Sequence, residues 1–575
     1  MTDMRRTLLW VIFSMSLFLI WDAWNRHNGN PSFFGPAPAA RTAPHAAAGG
    51  ASGLPVPSAT ATGTAAPAPA TATATAAAVA PAPAASAVAP SEKVTVTTDV
   101  VKATIDSLGG TVTRVELLKQ VDPFDPKRNV VLLDHTAERS YEAESGLVPA
   151  DGASSLPNHH TPMTVVPGER TLQPGQEQVQ VKLESPPVGG VKLVKTFTFH
   201  RGSYVVDVAH EVVNVGTAPA KPWLYLKLVR DGNAPPGESS VYSTFTGPAI
   251  YTDASKFHKV DFKSIEKRAA TDKPDHDTAA DNGWIAMVQH YFVSAWLLDK
   301  PGAPPRQREF RTEKVGPNLY AVDMLVPLGE VAPGATKTID SRLFVGPQEE
   351  ARLEQVAPGL ELVKDYGWFT ILAKPLFWLL TQLHKLIGNW GWAIVGLVVL
   401  LKIAFFWLNA TAYKSMAKMK AINPKIMEMR ERLKDKPQQM QQEMMRIYRE
   451  EKVNPLGGCL PILVQMPFFI ALYWVLLSSV EMRHAPWIGW ITDLSAKDPF
   501  FILPLLMTAT SLFQVWLNPA PPDPVQAKMM WIMPLAFSVM FFFFPAGLVL
   551  YWLTNNILSI AQQWVINKRL GVAGK

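Results

Sequence analysis

The pattern of hydrophobic and polar positions divides the chain into an alternating middle part and a strongly apolar last third. Residues 93–346 contain short runs with a period of two, separated by turn residues, which is typical of β-strands. Many such runs with few helical patterns between them predict a large two-sheet β-sandwich. The predicted strands cover 94–101, 111–118, 178–183, 191–199, 204–213, 223–229, 291–298, 319–326 and 336–345, with hairpin turns at Gly109-Gly110 and Val188-Gly189-Gly190.

The last third contains apolar runs long enough to predict a five-helix membrane core over residues 390–568. A further apolar run at 8–21 follows Arg5 and Arg6 and is compatible with a signal peptide or an uncleaved anchor. No small-residue cleavage site follows it, which favours a transmembrane anchor over 1–27. The chain is therefore predicted to have six transmembrane helices. The five core spans are predicted at 390–409, 460–480, 500–516, 529–544 and 547–566.

Three shorter segments complete the predicted organisation. Residues 28–92 are rich in Ala, Pro and Thr and lack the large apolar residues of a core, so they predict a disordered tether. Residues 347–389 predict a linker and an amphipathic helix in the membrane interface, with a broken span as the alternative. Residues 569–575 form a short C-terminal tail.

The distribution of basic residues predicts the orientation in the membrane. The loop 410–456 is rich in Lys and Arg, whereas the loop 481–499 has only Arg483 and Lys497. Because basic loops stay in the cytoplasm, the loop 410–456 and both termini are expected there. The β domain then lies on the outer side, which for a bacterial inner membrane is the periplasm.

The loop 410–456 has apolar residues spaced by three and four on both sides of a break at Lys434-Asp435-Lys436-Pro437, which predicts an antiparallel helical hairpin. Its methionines have two interpretations. They either pack the seam between the helices, or contact varied apolar ligands through their adaptable side chains. The basic excess would also attract RNA or anionic lipid headgroups. The candidate residues for such capture of an apolar ligand are Met416, Met419, Met427, Met440, Met444 and Met445.

Lys402 is a cation inside a predicted span and also has two interpretations. Its side chain could extend to the cytoplasmic interface, because Asn409 is only about 10 Å away along a helix. Alternatively it faces a water-containing groove, since intramembrane charges usually avoid lipid. The other candidate groove residues are Gln465, Gln514, Trp552, Asn555, Asn556 and Ser559.

Several kinds of chemistry find no support in the sequence. The chain has 575 residues, a net charge of +6 and one cysteine, Cys459, so it cannot form an internal disulfide or a cysteine-based metal site. No nucleotide-binding glycine loop and no nucleophile–base pattern is visible. We therefore predict no cofactor, no metal and no enzymatic activity. The polar residues scattered in the β domain match no metal or catalytic spacing: His159, His160, His200, His210 and Asp207.

Four stretches carry a family resemblance: 413–419 (YKSMAKM), 454–459 (NPLGGC), 465–467 (QMP) and 544–551 (FPAGLVLY). They resemble signature stretches of the YidC/Oxa/Alb family of membrane protein insertases. The anchor, tether, β domain and five-span core are similar to the long Gram-negative form over essentially the whole chain. The resemblance implies a supersandwich-like periplasmic domain and a positively charged groove open to cytoplasm and lipid, in which Lys402 stands where many relatives have arginine.

The resemblance implies a protein that inserts, folds and assembles integral membrane proteins in the inner membrane, alone or with the Sec translocon. Its implied partners are nascent membrane proteins, the Sec translocon with its accessory subunits, the ribosome or signal recognition particle pathway, and the lipid bilayer, with no nucleic-acid substrate. The alternative is a membrane channel or secondary transporter that uses Lys402 as a substrate site, although no inverted repeats are evident. A third class, an intramembrane protease or sugar-active enzyme, lacks a recognisable catalytic set.

Overall fold

The computed structural model describes residues 91–150, 155–236, 244–269, 272–298, 304–433, 436–451, 460–518 and 524–569. The predicted anchor, nearly all of the tether, Cys459 and most of the C-terminal tail lie outside these ranges. The described residues form two compact units, an all-β unit that ends at Val363 and a helical unit that begins at Lys364.

The β unit consists of two nine-stranded antiparallel sheets around one hydrophobic core. The prediction of a large two-sheet β domain is confirmed. The first sheet has the order β1-β2-β3-β4-β5-β10-β17-β16-β13, with β1 Lys93–Thr97, β2 Val101–Asp106, β3 Thr111–Val121, β4 Asn129–His135, β5 Ser140–Pro149, β10 Pro222–Asp231, β13 Ala279–Ala280, β16 Arg308–Gly316 and β17 Leu319–Pro327.

The second sheet packs its inner face against the first. Its order is β12-β11-β14-β15-β18-β9-β8-β7-β6, with β6 Thr164–Val165, β7 Gln178–Glu184, β8 Val191–His200, β9 Val205–Asn214, β11 Gly247–Thr252, β12 Lys256–Lys259, β14 Trp284–Gln289, β15 Phe292–Leu297 and β18 Thr336–Pro347. A short helix, α1 (Phe262–Lys267), follows β12.

Two predicted hairpin turns join neighbouring antiparallel strands. Gly109 and Gly110 connect β2 to β3 with φ of 70° and 63°, and Gly189 and Gly190 connect β7 to β8 with φ of 58° and 76°. These are left-handed conformations that glycine adopts without steric cost.

The prediction of one strand over 94–101 is wrong, because a turn separates β1 from β2. The Thr98 hydroxyl accepts hydrogen bonds from the backbone N–H groups of Val100 and Val101, which bends the chain there.

The β unit extends past residue 346, where the sequence placed its end. Helix α2 (Glu350–Val356) and a 3-10 turn, Leu360–Val363, bury Leu353 and Leu360 in the sandwich core. In addition, the indole of Trp284 donates to the carbonyl of Pro358 at 3.0 Å.

The helical unit contains eight helices among its described residues. They are α3 Thr370–Ile387, α4 Trp390–Ala404, α5 Phe406–Arg432, α6 Pro437–Glu450, α7 Leu460–Ser478, α8 Ile502–Leu517, α9 Pro524–Phe541 and α10 Ala546–Arg569. The apolar faces of α3, α4 and α7–α10 meet in one core that includes Leu380, Leu397, Leu472, Met507 and Leu550, whereas α5 and α6 pack in a separate cluster.

The predicted continuous span over 390–409 is wrong, because the chain bends between α4 and α5. The axes of Trp390–Ala404 and Phe406–Met416 differ by 68°. Neither Pro nor Gly lies at the break. Instead, the Gln562 side chain on α10 donates to the carbonyl of Phe406 at 3.2 Å, and such a bond to the helix backbone is a known cause of kinks.

A helix that crosses a bilayer must be both long enough and apolar enough. In the described part of the chain, no single helix is long and apolar enough to cross a membrane. The bent pair of α4 and the first part of α5 meets these two requirements together.

Candidate functional site

The Lys402 amine lies in a polar layer inside the apolar helical unit. Lys402 occupies the last turn of α4, whose N-terminus is capped by Asn389. Its Nζ donates to the Ser559 hydroxyl of α10 at 2.6 Å. Ser559 is buried, and its hydroxyl donates in turn to the carbonyl of Asn555 at 2.7 Å. The Tyr413 side chain of α5 also interacts with that of Ser559.

Further hydrogen bonds between amide and hydroxyl side chains connect α10 to α8 and α7 to α5. Asn556 of α10 donates to the Ser511 hydroxyl of α8 at 2.8 Å. Gln465 of α7 donates to the side-chain oxygen of Asn409 on α5 at 2.9 Å. Amide and hydroxyl groups between apolar helices are typical of polar layers in membrane proteins.

The structure brings some of the predicted groove residues together and separates others. Lys402, Asn555 and Ser559 meet in one hydrogen-bonded chain. The side chains of Gln514 and Asn555 make no hydrogen bond to another described residue. Trp552 packs against Phe469 and Phe541 at 4.1 and 5.4 Å between ring centroids. That any of the seven predicted residues lines a client groove stays a prediction.

Sequence reasoning missed Tyr413, Ser511 and Asn409, which complete the polar layer. Ser511 and Asn409 lie in or beside apolar runs, so a search for every hydrogen-bonding side chain within the spans would have found them. Tyr413 lies in a predicted hairpin helix, and only the bend between α4 and α5 brings it to Ser559.

No carboxylate among the described residues forms an ion pair with Lys402. Its ammonium has three N–H donors and uses one for Ser559. The remaining donors are available for water or for an acidic group. Chemically, the layer can solvate polar backbone and attract negative charge.

A folded loop, residues 480–501, closes one end of the helical unit. Asn389 donates to the carbonyls of Pro486 and Trp487, each at 3.1 Å, which ties the loop to the start of α4. The backbone N–H groups of Ala546 and Gly547, at the start of α10, donate to loop carbonyls at 2.7 and 2.9 Å. The loop also buries Met482, Ile491 and Leu494. The polar layer lies about 18 Å away along α10, at Ser559.

The hairpin helices α5 and α6 pack along a seam, here called the hairpin seam. Its buried centre is Ile422, Ile426 and Met429, and Met419, Leu433, Met440, Met444, Ile447 and Tyr448 pack against it. Two candidate capture residues differ: Met427 and Met445 are 56% and 53% exposed. Met416 is half-buried outside this seam. The packing interpretation therefore fits Met419, Met440 and Met444, whereas client contact by Met427 and Met445 stays a prediction.

The polar residues singled out in the β unit have ordinary protein partners. His200 pairs with Asp207 at 2.9 Å on the surface, and the His159 ring lies 2.5 Å from the buried Tyr225 hydroxyl. No group of three His, Cys, Asp or Glu side chains in the described ranges could hold a metal ion.

A buried lysine, Lys195 on β8, lies between the sheets of the β unit. Its amine donates to the carbonyls of Gly109 and Ser145 at 2.6 and 2.7 Å. Burial lowers the pKa of Lys195 to about 7, while the charge of Glu144 acts in the opposite direction. Burial and the neighbouring Lys195 lower the pKa of the cross-strand residue His210 to about 3.

Comparisons with known proteins cover both units. The family described as the YidC periplasmic domain matches residues 93–379, and that described as the 60Kd inner membrane protein matches 382–572. A membrane protein insertase YidC from Cupriavidus metallidurans is 58% identical over 99% of this chain and 98% of its own. One from Ralstonia nicotianae is 55% identical over 100% and 99%.

A crystal structure of an active YidC insertase is similar over 82% of this chain and 92% of its own, with 19% identity and a TM-score of 0.36. The family assignment rests on the full-length sequence matches. Because the two family models match consecutive parts of the chain, and because a YidC insertase is 58% identical over 99% of it, the chain belongs to the YidC family of membrane protein insertases.

Proposed function

We propose that this protein inserts nascent membrane proteins into the bacterial inner membrane and assists their folding, with the polar layer around Lys402 as the client groove. The observation that carries the proposal is the Lys402 amine held at 2.6 Å from Ser559 within an apolar helical unit, with no carboxylate pairing it among the described residues. Such a charge attracts acidic groups and keeps water nearby. Family membership does not favour a channel or transporter.

The proposed topology has six transmembrane helices: the N-terminal anchor and five core spans. Both termini and the hairpin α5–α6 lie in the cytoplasm, and the β unit lies in the periplasm. The basic character of the hairpin region supports this orientation. The amphipathic helix α3 has Ile371 and Trp378 exposed at 87% and 62%, which suits the periplasmic interface of the inner membrane.

In the proposed mechanism a client span with a short polar flank enters from the cytoplasm. Met427 and Met445 contact its apolar residues, and Lys402 attracts acids in the flank. Polar side chains and water in the layer lower the cost of moving polar groups through the bundle. The apolar span then moves into lipid, and burial of its surface, worth about 25 cal/mol per Å², provides the driving force. No residue is assigned a catalytic role. The Sec translocon and the ribosome are proposed partners on the basis of the family.

The test is insertion of two matched single-span clients into proteoliposomes, one with an acidic flank and one with a neutral flank. Lys402→Arg should retain insertion of both. Lys402→Glu should harm the acidic-flank client most, because like charges repel in a partly dehydrated site. Equal insertion of the two clients by the Glu variant would reject the groove role of Lys402.

A further inference from the structure

The bond between Lys402 and Ser559 has a fixed direction. The Ser559 hydroxyl has a single hydrogen, which it donates to Asn555 one turn earlier on α10, at 2.7 Å. Its lone pairs are therefore available to accept from the Lys402 ammonium at 2.6 Å. Ser559 is only 4% exposed, so water reaches this oxygen poorly. The Lys402 ammonium therefore supplies the hydrogen bond that water would otherwise donate to it.

Lysine at this position needs such a partner because its side chain is long and flexible. Lys402 lies three residues before the bend at Phe405, near the end of α4. An unrestrained amine would extend toward the polar end of the helix, as lysines near span ends do. The bond to Ser559 instead directs the amine across to α10, beside Asn555.

We propose that Ser559 is a positioning residue that keeps the Lys402 amine in the polar layer and prevents it from extending to the interface. This inference rests on the proposed function, since it names what makes the charge usable for acidic clients. The amine keeps two free donors for water or a client carboxylate.

The chain offers a conservative variant and a matched control. Ser559→Ala removes the acceptor, whereas Ser559→Thr retains a hydroxyl that can make the same bond to the preceding turn. Ser538 on α9 is also buried, and its hydroxyl donates to the carbonyl of Pro534 at 2.7 Å, without a lysine partner. Ser538→Ala therefore removes an equivalent helix-internal bond without touching Lys402.

The experiment compares full-length variants in proteoliposomes with the acidic-flank and neutral-flank clients. Ser559→Ala should lower the ratio of acidic-flank to neutral-flank insertion by about tenfold or more, the range for one hydrogen bond to a charged group. Ser559→Thr should restore the ratio, and Ser538→Ala should keep it. In parallel, the reaction of Lys402 with an amine-selective reagent, followed by mass spectrometry, should be faster in Ser559→Ala.

The outcomes separate this inference from the function on which it rests. The positioning role alone is overturned if Ser559→Ala has a normal ratio of acidic-flank to neutral-flank insertion and a normal Lys402 reactivity, while Lys402→Glu shifts the ratio. No shift of the ratio in either variant overturns the groove function as well. An equal loss for both clients that Ser559→Thr does not restore would indicate a packing role and also reject positioning. The reactivity measurement needs no client, so it decides the question even if Ser559→Ala inserts poorly.

Discussion

Lys364 and Glu481 form a buried ion pair at the start of the helical unit. The Lys364 amine lies 3.0 and 3.2 Å from the two carboxylate oxygens of Glu481, and its side chain is fully buried. The same amine lies 3.6 Å from the ring centroid of Phe377, on α3. The pair therefore joins the chain before α3 to the turn after α7, with an aromatic face covering the cation.

Removing one partner should be more harmful than removing both. Lys364→Met leaves the Glu481 carboxylate, which is 20% exposed, without its partner and should lower stability by about 1–3 kcal/mol, whereas Lys364→Met with Glu481→Leu should recover most of the loss. The measurement is the thermal midpoint of the full-length protein in detergent. The exposed pair Lys425 and Glu451 is the control, and Lys425→Met should change the midpoint little. A double variant less stable than Lys364→Met would contradict the expectation.

The hairpin methionines should separate into two functional groups. Met427→Ser with Met445→Ser should reduce cross-linking to apolar clients and leave the hairpin folded, because both side chains are more than half exposed. Met440→Ser with Met444→Ser should destabilise the hairpin seam by about 1–2 kcal/mol each, less than for fully buried residues. Hydrogen exchange of the α5–α6 peptides measures the second effect.

The two pairs serve as controls for one another, since each removes two methionines from the same hairpin. Unprotected hairpin amides in the Met427/Met445 variant would show that these residues stabilise the fold instead of contacting clients. Unchanged client cross-linking in that variant, with the hairpin folded, would reject their capture role.

The location of most core helices could be predicted from the sequence, because an apolar run of fixed length leaves few alternatives. Helix α7 ends at Ser478 against a prediction of 480, and α10 covers Ala546–Arg569 against 547–566. The bend at Phe405 could not be predicted, since neither Pro nor Gly marks it and the Gln562 side chain that bonds beside it is more than 150 residues away in sequence. For the same reason, sequence alone identified Lys402 and Ser559 but not their contact.

In the β unit, two of the strands that the sequence analysis missed, β5 and β14, have buried residues on both faces. Strand β5 has Glu144 and Ser145 buried among apolar residues, so its polar positions do not mark an exposed face. Strand β14 is buried at every position and has no alternation to detect. Their assignment depends on the opposite sheet, which a local pattern does not contain.

The buried Lys195 should make the stability of the β unit depend on pH. Its pKa is lowered to about 7 in the folded chain, while an unfolded lysine titrates near 10.4. Between these values the unfolded chain binds more protons, so this group makes the free energy of unfolding rise as pH rises from about 7 to about 10. Lys195→Met removes this dependence. The free energy of unfolding of this variant should therefore exceed that of the parent most at or below pH 7 and least near pH 10.

The measurement is the free energy of opening of β8 and β9 in the full-length protein, from hydrogen exchange corrected for intrinsic rates. Lys192→Met, on the same strand, controls for loss of a lysine that is 32% exposed and paired with Glu184. Parallel pH profiles for the parent and Lys195→Met would contradict the prediction.

The loop 480–501 should depend on Asp498, a carboxylate that is 1% exposed. One oxygen accepts from the Trp490 indole at 3.1 Å and from the Phe500 backbone N–H at 3.0 Å, and the other accepts from the Leu503 N–H at 2.7 Å. It therefore satisfies free N–H groups at the start of α8, where a negative charge is also favoured by the helix dipole. Asp498→Ala should cost on the order of 3 kcal/mol, because buried donors lose a charged acceptor.

Asp498→Asn should lose less stability than Asp498→Ala, since one side-chain oxygen remains. It should still be less stable than the parent, because its amide nitrogen cannot accept from the Leu503 N–H. Hydrogen exchange should rise at the start of α8 in both variants, and more in Asp498→Ala. The adjacent Lys497 has an exposed side chain, so Lys497→Ala should leave exchange unchanged. Because the same loop accepts the N–H groups of Ala546 and Gly547, exchange at the start of α10 should rise in step with that of α8. Faster exchange confined to α8 would show that Asp498 caps one helix and does not support the loop as a whole.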